Sequence, residues 1–304
     1  MGPASRRGPR RTQVSTDAET RTGSTTEGEW VVQGPQARRR TPAAQARRDL
    51  ILRISLGALI PVLAVVSWEL SARLGWIDAR FFSQPSAVLD RFLADSASGL
   101  VWTETRITTV RLLTGYALGS VAGIVVGLAL SQFTFLRWLI EPLIRALYVI
   151  PKLAILPLLL LLFGLGETPK LIFISLGTFY IVAFTTLSAA MMIPTPLHEA
   201  ARSYGLSWSQ RFRWLIIPAS LPQIVSSLRL ASGISMLLAI AVEFVNAQEG
   251  LGYYTWHAWE LFVPERMYVG VVLISILGVV FSAVIGFLGS RLVRWSEGEF
   301  DQTR

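Results

Sequence analysis

The hydrophobic and polar positions of the chain alternate in long blocks, and the apolar blocks are long enough to form helices that cross a lipid bilayer. Between Arg53 and Glu69, for example, no residue is charged. A bilayer core requires ~20 predominantly apolar residues. We therefore predict an all-α integral membrane protein with six transmembrane helices. They cover about residues 50–70, 105–130, 145–165, 171–193, 221–245 and 267–290.

The third predicted span differs from the others because prolines interrupt it. Pro142 and Pro151 precede its apolar part and Pro157 lies within it. A proline removes a backbone donor and bends or ends a helix. Irregular backbone at membrane depth is tolerated where it is buried in protein or lines a water-filled path. The pattern is thus compatible with a path-lining segment or with a packing kink. Short helices outside the membrane are predicted near residues 86–98 and 137–145.

Two spans carry small residues at four-residue spacing, which places them on one stripe of each helix. Small residues allow close approach of a neighbouring helix, and close packing drives helix association in lipid. We predict a helix–helix seam at each stripe, with a partner helix from the same chain or from a second subunit. The stripes consist of Gly115, Gly119, Gly123 and Gly127 on the second span, and of Gly278, Ser282, Gly286 and Ser290 on the sixth.

The composition agrees with a membrane protein. Hydrophobic residues make up 52% of the 304 residues and charged residues only 16%, whereas soluble proteins have about a quarter charged residues. The mean hydropathy is +0.50. The chain has no cysteine and two histidines, which excludes disulfide scaffolds and thiolate sites and disfavours a histidine-rich metal centre.

The net charge of +8 is concentrated at the N-terminus, where residues 1–49 hold 10 arginines against five acidic residues. With almost no large apolar residues, this segment is predicted to be a disordered basic tail. Basic residues favour the cytoplasmic side of a membrane. They also dominate the predicted connections 132–145, 197–213 and 291–304. Both termini, including a short tail at 296–304, are therefore predicted to be cytoplasmic.

Few residues in the sequence suggest a substrate-binding or catalytic role. Glu243 lies near the outer end of the fifth span, where it could contact a substrate in the path or be structural. Arg229, in the inner half of the same span, is interpreted as a structural pairing residue. No phosphate-binding G-x-x-x-x-G-K-[ST] motif and no catalytic constellation is present, so this chain is not expected to bind ATP or to be an enzyme. We expect neither a bound metal nor a nucleic-acid partner.

One cytoplasmic connection, residues 197–218, contains a specific motif. It reads Glu199-Ala200-Ala201, then three residues, then Gly205, then nine residues and Leu215-Ile216-Ile217-Pro218. This resembles the E-A-A-x3-G-x9-I-x-L-P loop of membrane subunits of ATP-binding-cassette (ABC) importers. The flanking sequences, including Ser207–Phe212 and Gly250–Tyr253, look like the nitrate/sulfonate/taurine-type branch, and the resemblance covers about residues 50–295.

The resemblance implies a type I ABC importer permease fold for residues 50–295, with a cytoplasmic coupling helix. ATP and Mg²⁺ would be bound by two separate ATPase subunits. An external substrate-binding protein and a second permease copy, forming a homodimer, would complete the importer in the plasma membrane of a prokaryote. Aliphatic sulfonates or related small anions are the implied substrates. A pyrimidine-type vitamin precursor and a self-sufficient secondary transporter or channel remain alternatives. The implied ATPase-coupling residues are Glu199, Ala200, Ala201, Gly205 and Pro218.

Overall fold

The computed structural model describes residues 42–78 and 81–293, and within these ranges the regular structure is entirely helical. The elements are α1 (Pro42–Arg73), α2 (Pro85–Ala97), α3 (Leu100–Gln132), α4 (Thr134–Val149), α5 (Lys152–Phe163), α6 (Glu167–Met191), α7 (Thr195–Ser203), α8 (Trp208–Arg211), a π-helical turn (Phe212–Ile216), α9 (Ile217–Asn246), α10 (Leu251–Glu260) and α11 (Pro264–Leu292).

The chain divides into two compact units, residues 1–58 and 59–304. In the first unit the described residues all belong to α1. Residues 42–49, which were predicted to be part of the disordered tail, are therefore helical. The remainder of that predicted tail and the predicted C-terminal tail, 296–304, lie outside the described residues. The second unit contains the helices that build the core and the candidate sites.

Four helices of the described residues are long and apolar enough to cross a membrane: α3, α6, the continuous helix from α8 to α9, and α11. The pair formed by α4 and α5 passes the same test as one bent span, with an angle of 103° between its halves. The predicted interruption of this span is therefore present. The first predicted span falls within α1. The described residues thus give four or five spans by length and composition, and the predicted total of six is not reached among them.

The first stripe of small residues faces α6 of the same chain. A β-carbon added to Gly119 would lie 2.7 Å from the Thr178 Cβ atom, and one added to Gly123 would lie 2.8 Å from the Val182 Cβ atom. The Ser175 hydroxyl donates a hydrogen bond of 3.0 Å to the carbonyl of a further stripe residue, Gly115. Since α3 and α6 approach backbone to backbone and run parallel, the seam is internal to the subunit.

The second stripe, on α11, faces α9. The Ser232 and Ser282 hydroxyl oxygens are 3.3 Å apart, and Gly278 lies beside Met236. Arg229 donates a hydrogen bond of 2.9 Å to the carbonyl oxygen of Gly286. This hydrogen bond links α9 to α11, but Ser282 is exposed, so α9 covers the second stripe only in part.

The main apolar core lies where α6 meets α3, α5 and α9. Its fully buried side chains come from all four helices, and include Leu112, Leu156, Ile174, Val182 and Val242. Because α3 and α6 run parallel and α9 antiparallel to them, the first residues of α3 and α6 lie beside the last residues of α9. The loop from α7 to the π-turn lies at the opposite end of these helices. Each end carries one candidate site.

Candidate functional site

The loop between α6 and α9 begins with the short helix α7, which a glycine terminates. Gly205 has a φ of +71°, a left-handed conformation that glycine adopts without steric cost. Its N–H donates to the Arg202 carbonyl (2.9 Å), and the Leu206 N–H donates to the Ala201 carbonyl (3.1 Å). These two bonds form a Schellman motif, which satisfies the last carbonyls of α7. The chain turns here from α7 toward α8.

The helix α8 has a reciprocal cap at its start. The Ser207 hydroxyl accepts a hydrogen bond from the Gln210 N–H, and the Gln210 side chain accepts one from the Ser207 N–H at 2.8 Å. This capping box satisfies two N–H groups that the helix itself leaves without partners. The turn from Gly205 to Ser207 is thus fixed by local hydrogen bonds on both sides, and the directions of α7 and α8 are set by the sequence.

A π-helical turn connects α8 to α9 and accommodates a proline. Pro218, the second residue of α9, has no N–H and its ring would press on the carbonyl of Trp214 in a regular helix. In the π-turn the Ile217 N–H instead donates to the Phe212 carbonyl, five residues earlier. The wider turn lets α8, the π-turn and α9 continue as one helix. The end of the loop and the α9 span therefore form one continuous helix.

The loop has a packed face and an exposed face. Its packed face rests on a small apolar cluster in which Ile216 contacts Ala190 and Ile193 from the end of α6. Ala201 is also buried. On the other face Glu199 and Ala200 are exposed, as is Tyr204, whose exposed fraction is 85%. The exposed face shows further large apolar side chains and arginines, namely Leu197, Arg202, Trp208, Arg213 and Trp214. A mixed surface of this kind suits docking of a protein partner.

At the opposite end of the helices, Arg111 holds two carboxylates from two other helices. Its side chain is 2% exposed and forms an ion pair with Glu243, which is fully buried. The same guanidinium donates to both oxygens of Glu167, at 2.7 and 2.8 Å. Lys170 adds a further bond of 2.7 Å to Glu167. We call Arg111, Glu167, Lys170 and Glu243 the buried charge cluster; three of its side chains are buried, and Glu167, which is 57% exposed, closes it at the surface. It ties α3, α6 and α9 together.

The chain after α9 folds around the carboxylate of Glu243. The Thr108 hydroxyl donates to it at 2.9 Å, and the Gly252 N–H donates to it at 2.8 Å. A β-carbon on Gly250, which has a φ of +111°, would come within 2.5 Å of this carboxylate. Glu104 accepts a hydrogen bond from the Gly250 N–H. The two glycines are therefore required for close approach of the backbone to a buried acid.

The carboxylate of Glu243 is enclosed by this chain's own donors, an arrangement that favours the structural one of the two roles considered for it. The sequence analysis did not single out Arg111 as its partner. The available signal was an arginine inside one apolar span and an acid inside another, since charges buried in a membrane are normally paired. That rule does not specify which two spans meet.

A second polar cluster, at the same end as the buried charge cluster, connects α2 to α10 and α11. Asp95 of α2 accepts hydrogen bonds from Arg266 (3.0 and 3.1 Å) and from the Tyr254 hydroxyl at 2.8 Å. Burial raises the pKa of the Tyr254 phenol, and the bond to Asp95 raises it further, so the hydroxyl remains protonated and donates at neutral pH. The helix α2 itself agrees with the short helix predicted near 86–98.

These features suit a moving membrane component. Paired charges and close glycine contacts connect the spans at one end, and the other end presents an exposed loop that is continuous with a span. A sequence model of the family described as "binding-protein-dependent transport system inner membrane component" matches residues 119–299. The chain belongs to this family. It is accordingly a multi-pass membrane permease, and its family works in transport and not in enzymatic catalysis.

Several individual proteins are similar to this permease over most of its length. SsuC of Escherichia coli (strain K12), named for the transport of aliphatic sulfonates, is 32% identical over 78% of this chain and 90% of its own. TauC of the same strain, a taurine transport system permease, is 29% identical over 80% and 89%. NrtB of Leptolyngbya laminosa, a nitrate import permease, is 26% identical over 68% and 74%. The permease therefore belongs to the ABC importer branch that contains these three proteins.

Solved structures with a similar fold include other ABC transporters. An inward-facing structure of the MetNI methionine transporter aligns with a TM-score of 0.53 and 23% identity, over 62% of this chain and 91% of that one. An amino acid ABC transporter solved with histidines aligns with a TM-score of 0.53 and 18% identity, over 67% and 97%. At these identities the likeness concerns the fold alone.

Proposed function

We propose that this permease forms the translocation path of an ATP-driven importer for aliphatic sulfonates or related small anions. The observation that carries the proposal is the exposed loop at residues 197–218, whose motif resembles the ATPase-docking loop of ABC importers and whose last helix continues into α9. The substrate class is supported by the names of the relatives, which transport aliphatic sulfonates, taurine or nitrate.

In this proposal, α7 is the coupling helix. A soluble ATPase docks on Glu199, Ala200 and the exposed surface around Tyr204, and Gly205 sets the angle between α7 and α8. When the ATPase subunits close on ATP and Mg²⁺, the loop moves and α9 moves with it. The π-turn and Pro218 carry this movement without a flexible joint, because the helix is continuous from Trp208 to Asn246. The nucleotide and the metal belong to the partner.

We assign the α7 end to the cytoplasm and the buried charge cluster to the outside. Arg202, Arg211 and Arg213 are concentrated at the α7 end, and basic residues favour the cytoplasmic side. With α1 as the first span and α4–α5 as the bent third, six spans place both termini in the cytoplasm.

Two ATPase subunits need two docking loops, and this chain has a single one. A second permease subunit is therefore required, and we propose a second copy related by a two-fold axis. An external binding protein delivers the substrate at the other side. The first stripe of small residues is covered within the chain by α6, whereas Ser282 of the second stripe is exposed, so the second stripe is the one left as a candidate surface between the two copies.

A transport assay with purified components tests the substrate assignment. The permease, its ATPase and its binding protein are reconstituted in liposomes, and uptake of labelled ethanesulfonate, nitrate and a hydroxymethylpyrimidine is compared. We expect ATP-dependent uptake of the anions and none of the pyrimidine. Uptake of the pyrimidine alone would favour the vitamin-precursor alternative. Uptake by the permease without the ATPase would favour a secondary transporter.

A further inference from the structure

A polar cavity of about 510 Å³ lies between the beginning of α6 and the end of α9, at the end of the helices that carries the buried charge cluster. Residues around the start of α6 form one wall, and the segment 245–249 forms the other. Five lining side chains are polar or charged, namely Glu167, Lys170, Asn246, Gln248 and Glu249. Because convergent polar groups fix the orientation of a bound group, the cavity suits a polar or charged occupant.

Three of these side chains have no partner among the described residues. The Asn246 Nδ2 atom is buried and makes no hydrogen bond to any of them, although buried polar groups are normally hydrogen-bonded. Gln248 and Glu249 are exposed, and their side chains form no hydrogen bond or ion pair within the described part of the chain. Glu167 and Lys170, in contrast, are paired with each other. The segment 245–249 therefore supplies the groups that are available to a partner.

The backbone of this segment is held in place although the Glu249 side chain is exposed. The Glu249 carbonyl accepts a hydrogen bond of 3.3 Å from Arg111. The N–H of the next residue, Gly250, donates to the buried Glu104. The Glu249 carboxylate is thus presented at the cavity from a backbone that is already ordered. Binding to such a group costs less conformational entropy than binding to a mobile loop.

The two ends of the helices differ in the sign of their charge. The segments at the cavity end, 69–111, 167–170 and 243–266, hold ten acidic and seven basic residues. The segments at the α7 end, 133–145 and 194–213, hold two acidic and five basic residues. An excess of one sign attracts a protein surface of the opposite sign and disfavours one of the same sign. The surface around the cavity is therefore complementary to a basic partner.

We propose that this cavity is a docking point for the external binding protein, and that it receives an arginine or lysine side chain from the surface of that protein. The inference rests on the proposed function, which places this end outside and names the binding protein as a partner. The incoming cation donates to the Glu249 carboxylate and to the side-chain carbonyl of Gln248. A carbonyl of the docked segment supplies the missing acceptor for Asn246. Because Glu167 lines the same cavity, the binding protein contacts the buried charge cluster directly.

The test is the affinity of the purified binding protein, loaded with ethanesulfonate, for the complex of permease and ATPase in lipid nanodiscs, at low and at high salt. We expect Glu249→Gln to raise the Kd about tenfold at low salt, because an interface loses one member of a charge pair. The difference should shrink at high salt, since screening already weakens the pair in the natural permease. The midpoint of thermal unfolding, measured alongside, should not change, because the Glu249 side chain is exposed.

Two further variants separate the cavity from the net charge and from a folding defect. Glu260→Gln removes the same charge from the same end, but Glu260 does not line the cavity and accepts a hydrogen bond from Trp256 on its own helix. Its Kd should stay within about twofold of the natural value. Gln248→Glu adds a second carboxylate to the cavity and should lower the Kd about threefold at low salt. A gain in affinity is not a consequence of misfolding.

The outcomes distinguish this inference from the proposed function. An unchanged Kd in Glu249→Gln, or equal losses in Glu249→Gln and Glu260→Gln, would overturn the inference and leave the importer assignment in place. Weaker binding by Gln248→Glu would overturn it too, because the cavity would then not receive a cation. If the natural complex neither bound the binding protein nor hydrolysed ATP faster in its presence, the proposed function itself would be contradicted, and with it the inference.

Discussion

Replacement of Arg111 by glutamine is expected to destabilise the folded permease by about 3–5 kcal/mol, because it leaves the fully buried Glu243 without its cation. The loss should appear as a lower midpoint of thermal unfolding in detergent and as reduced abundance in the membrane. The effect is large because the ion pair joins two helices through residues that are 132 positions apart in the sequence, and because the backbone after α9 is folded around the same carboxylate.

Two controls make this expectation specific. Arg106→Gln removes an exposed cation from the same helix and should change the unfolding midpoint little. Arg111→Gln/Glu243→Gln removes both members of the pair, and should be less destabilised than Arg111→Gln alone, since no buried charge is left uncompensated. If Arg111→Gln has the same midpoint as Arg106→Gln, the buried charge cluster does not stabilise the fold.

Replacement of Gly205 by valine is expected to reduce binding of the ATPase and transport about tenfold while membrane abundance remains near normal. At a φ of +71° a β-branched residue is strained by roughly 1–3 kcal/mol. A β-carbon there would contact nothing within 4 Å. The strain is therefore relieved by a change in the turn between α7 and α8, and the docking surface loses its shape.

Glu199→Ala should act in the same direction more mildly, because it leaves the backbone intact. Copurification with the ATPase and uptake in liposomes measure both effects.

Gly75 supplies a matched control for the strain itself. It has a φ of +72° and also has nothing within 4 Å of an added β-carbon, but it lies after α1 at the opposite end of the helices. Gly75→Val should retain binding of the ATPase. Equal losses in Gly75→Val and Gly205→Val would mean that strain anywhere in the permease impairs assembly, and that the turn at Gly205 has no particular role in coupling.

The sequence predicts the membrane-spanning helices better than it predicts the contacts between them. Spans α3, α6, α9 and α11 follow from long apolar runs with few charges, and the glycine spacing predicts which face of α3 makes a close contact. It does not predict the partner, because any helix with a compatible face can pack on small residues. Only the fold shows that α6 fills the Gly115–Gly127 stripe, and so removes it as a surface between two copies.

The two candidate sites, at opposite ends of the helices, differ in how far the sequence predicts them. The loop motif locates the connection between α6 and α9 and its Gly205, because the motif is local in the sequence. The π-turn was not predicted, since it depends on how the helix accommodates Pro218 within a continuous span. The buried charge cluster was missed because its members meet only after three spans have packed. The interruption at Pro151 was predicted, but the angle of 103° between α4 and α5 was not, because it depends on how the two halves pack against other helices.

Chemical crosslinking from the α7 loop tests the central claim, that an ATPase docks on this loop, most directly. The chain has no cysteine, so a single cysteine can be placed at Tyr204, which is 85% exposed, and in a separate variant at Trp76, which is 77% exposed at the opposite end. In the assembled complex, a short thiol-reactive crosslinker should join Tyr204→Cys to the ATPase subunit and leave Trp76→Cys unlinked to it. Crosslinking of the ATPase from Trp76→Cys, or none from Tyr204→Cys in a complex that transports, would contradict the account.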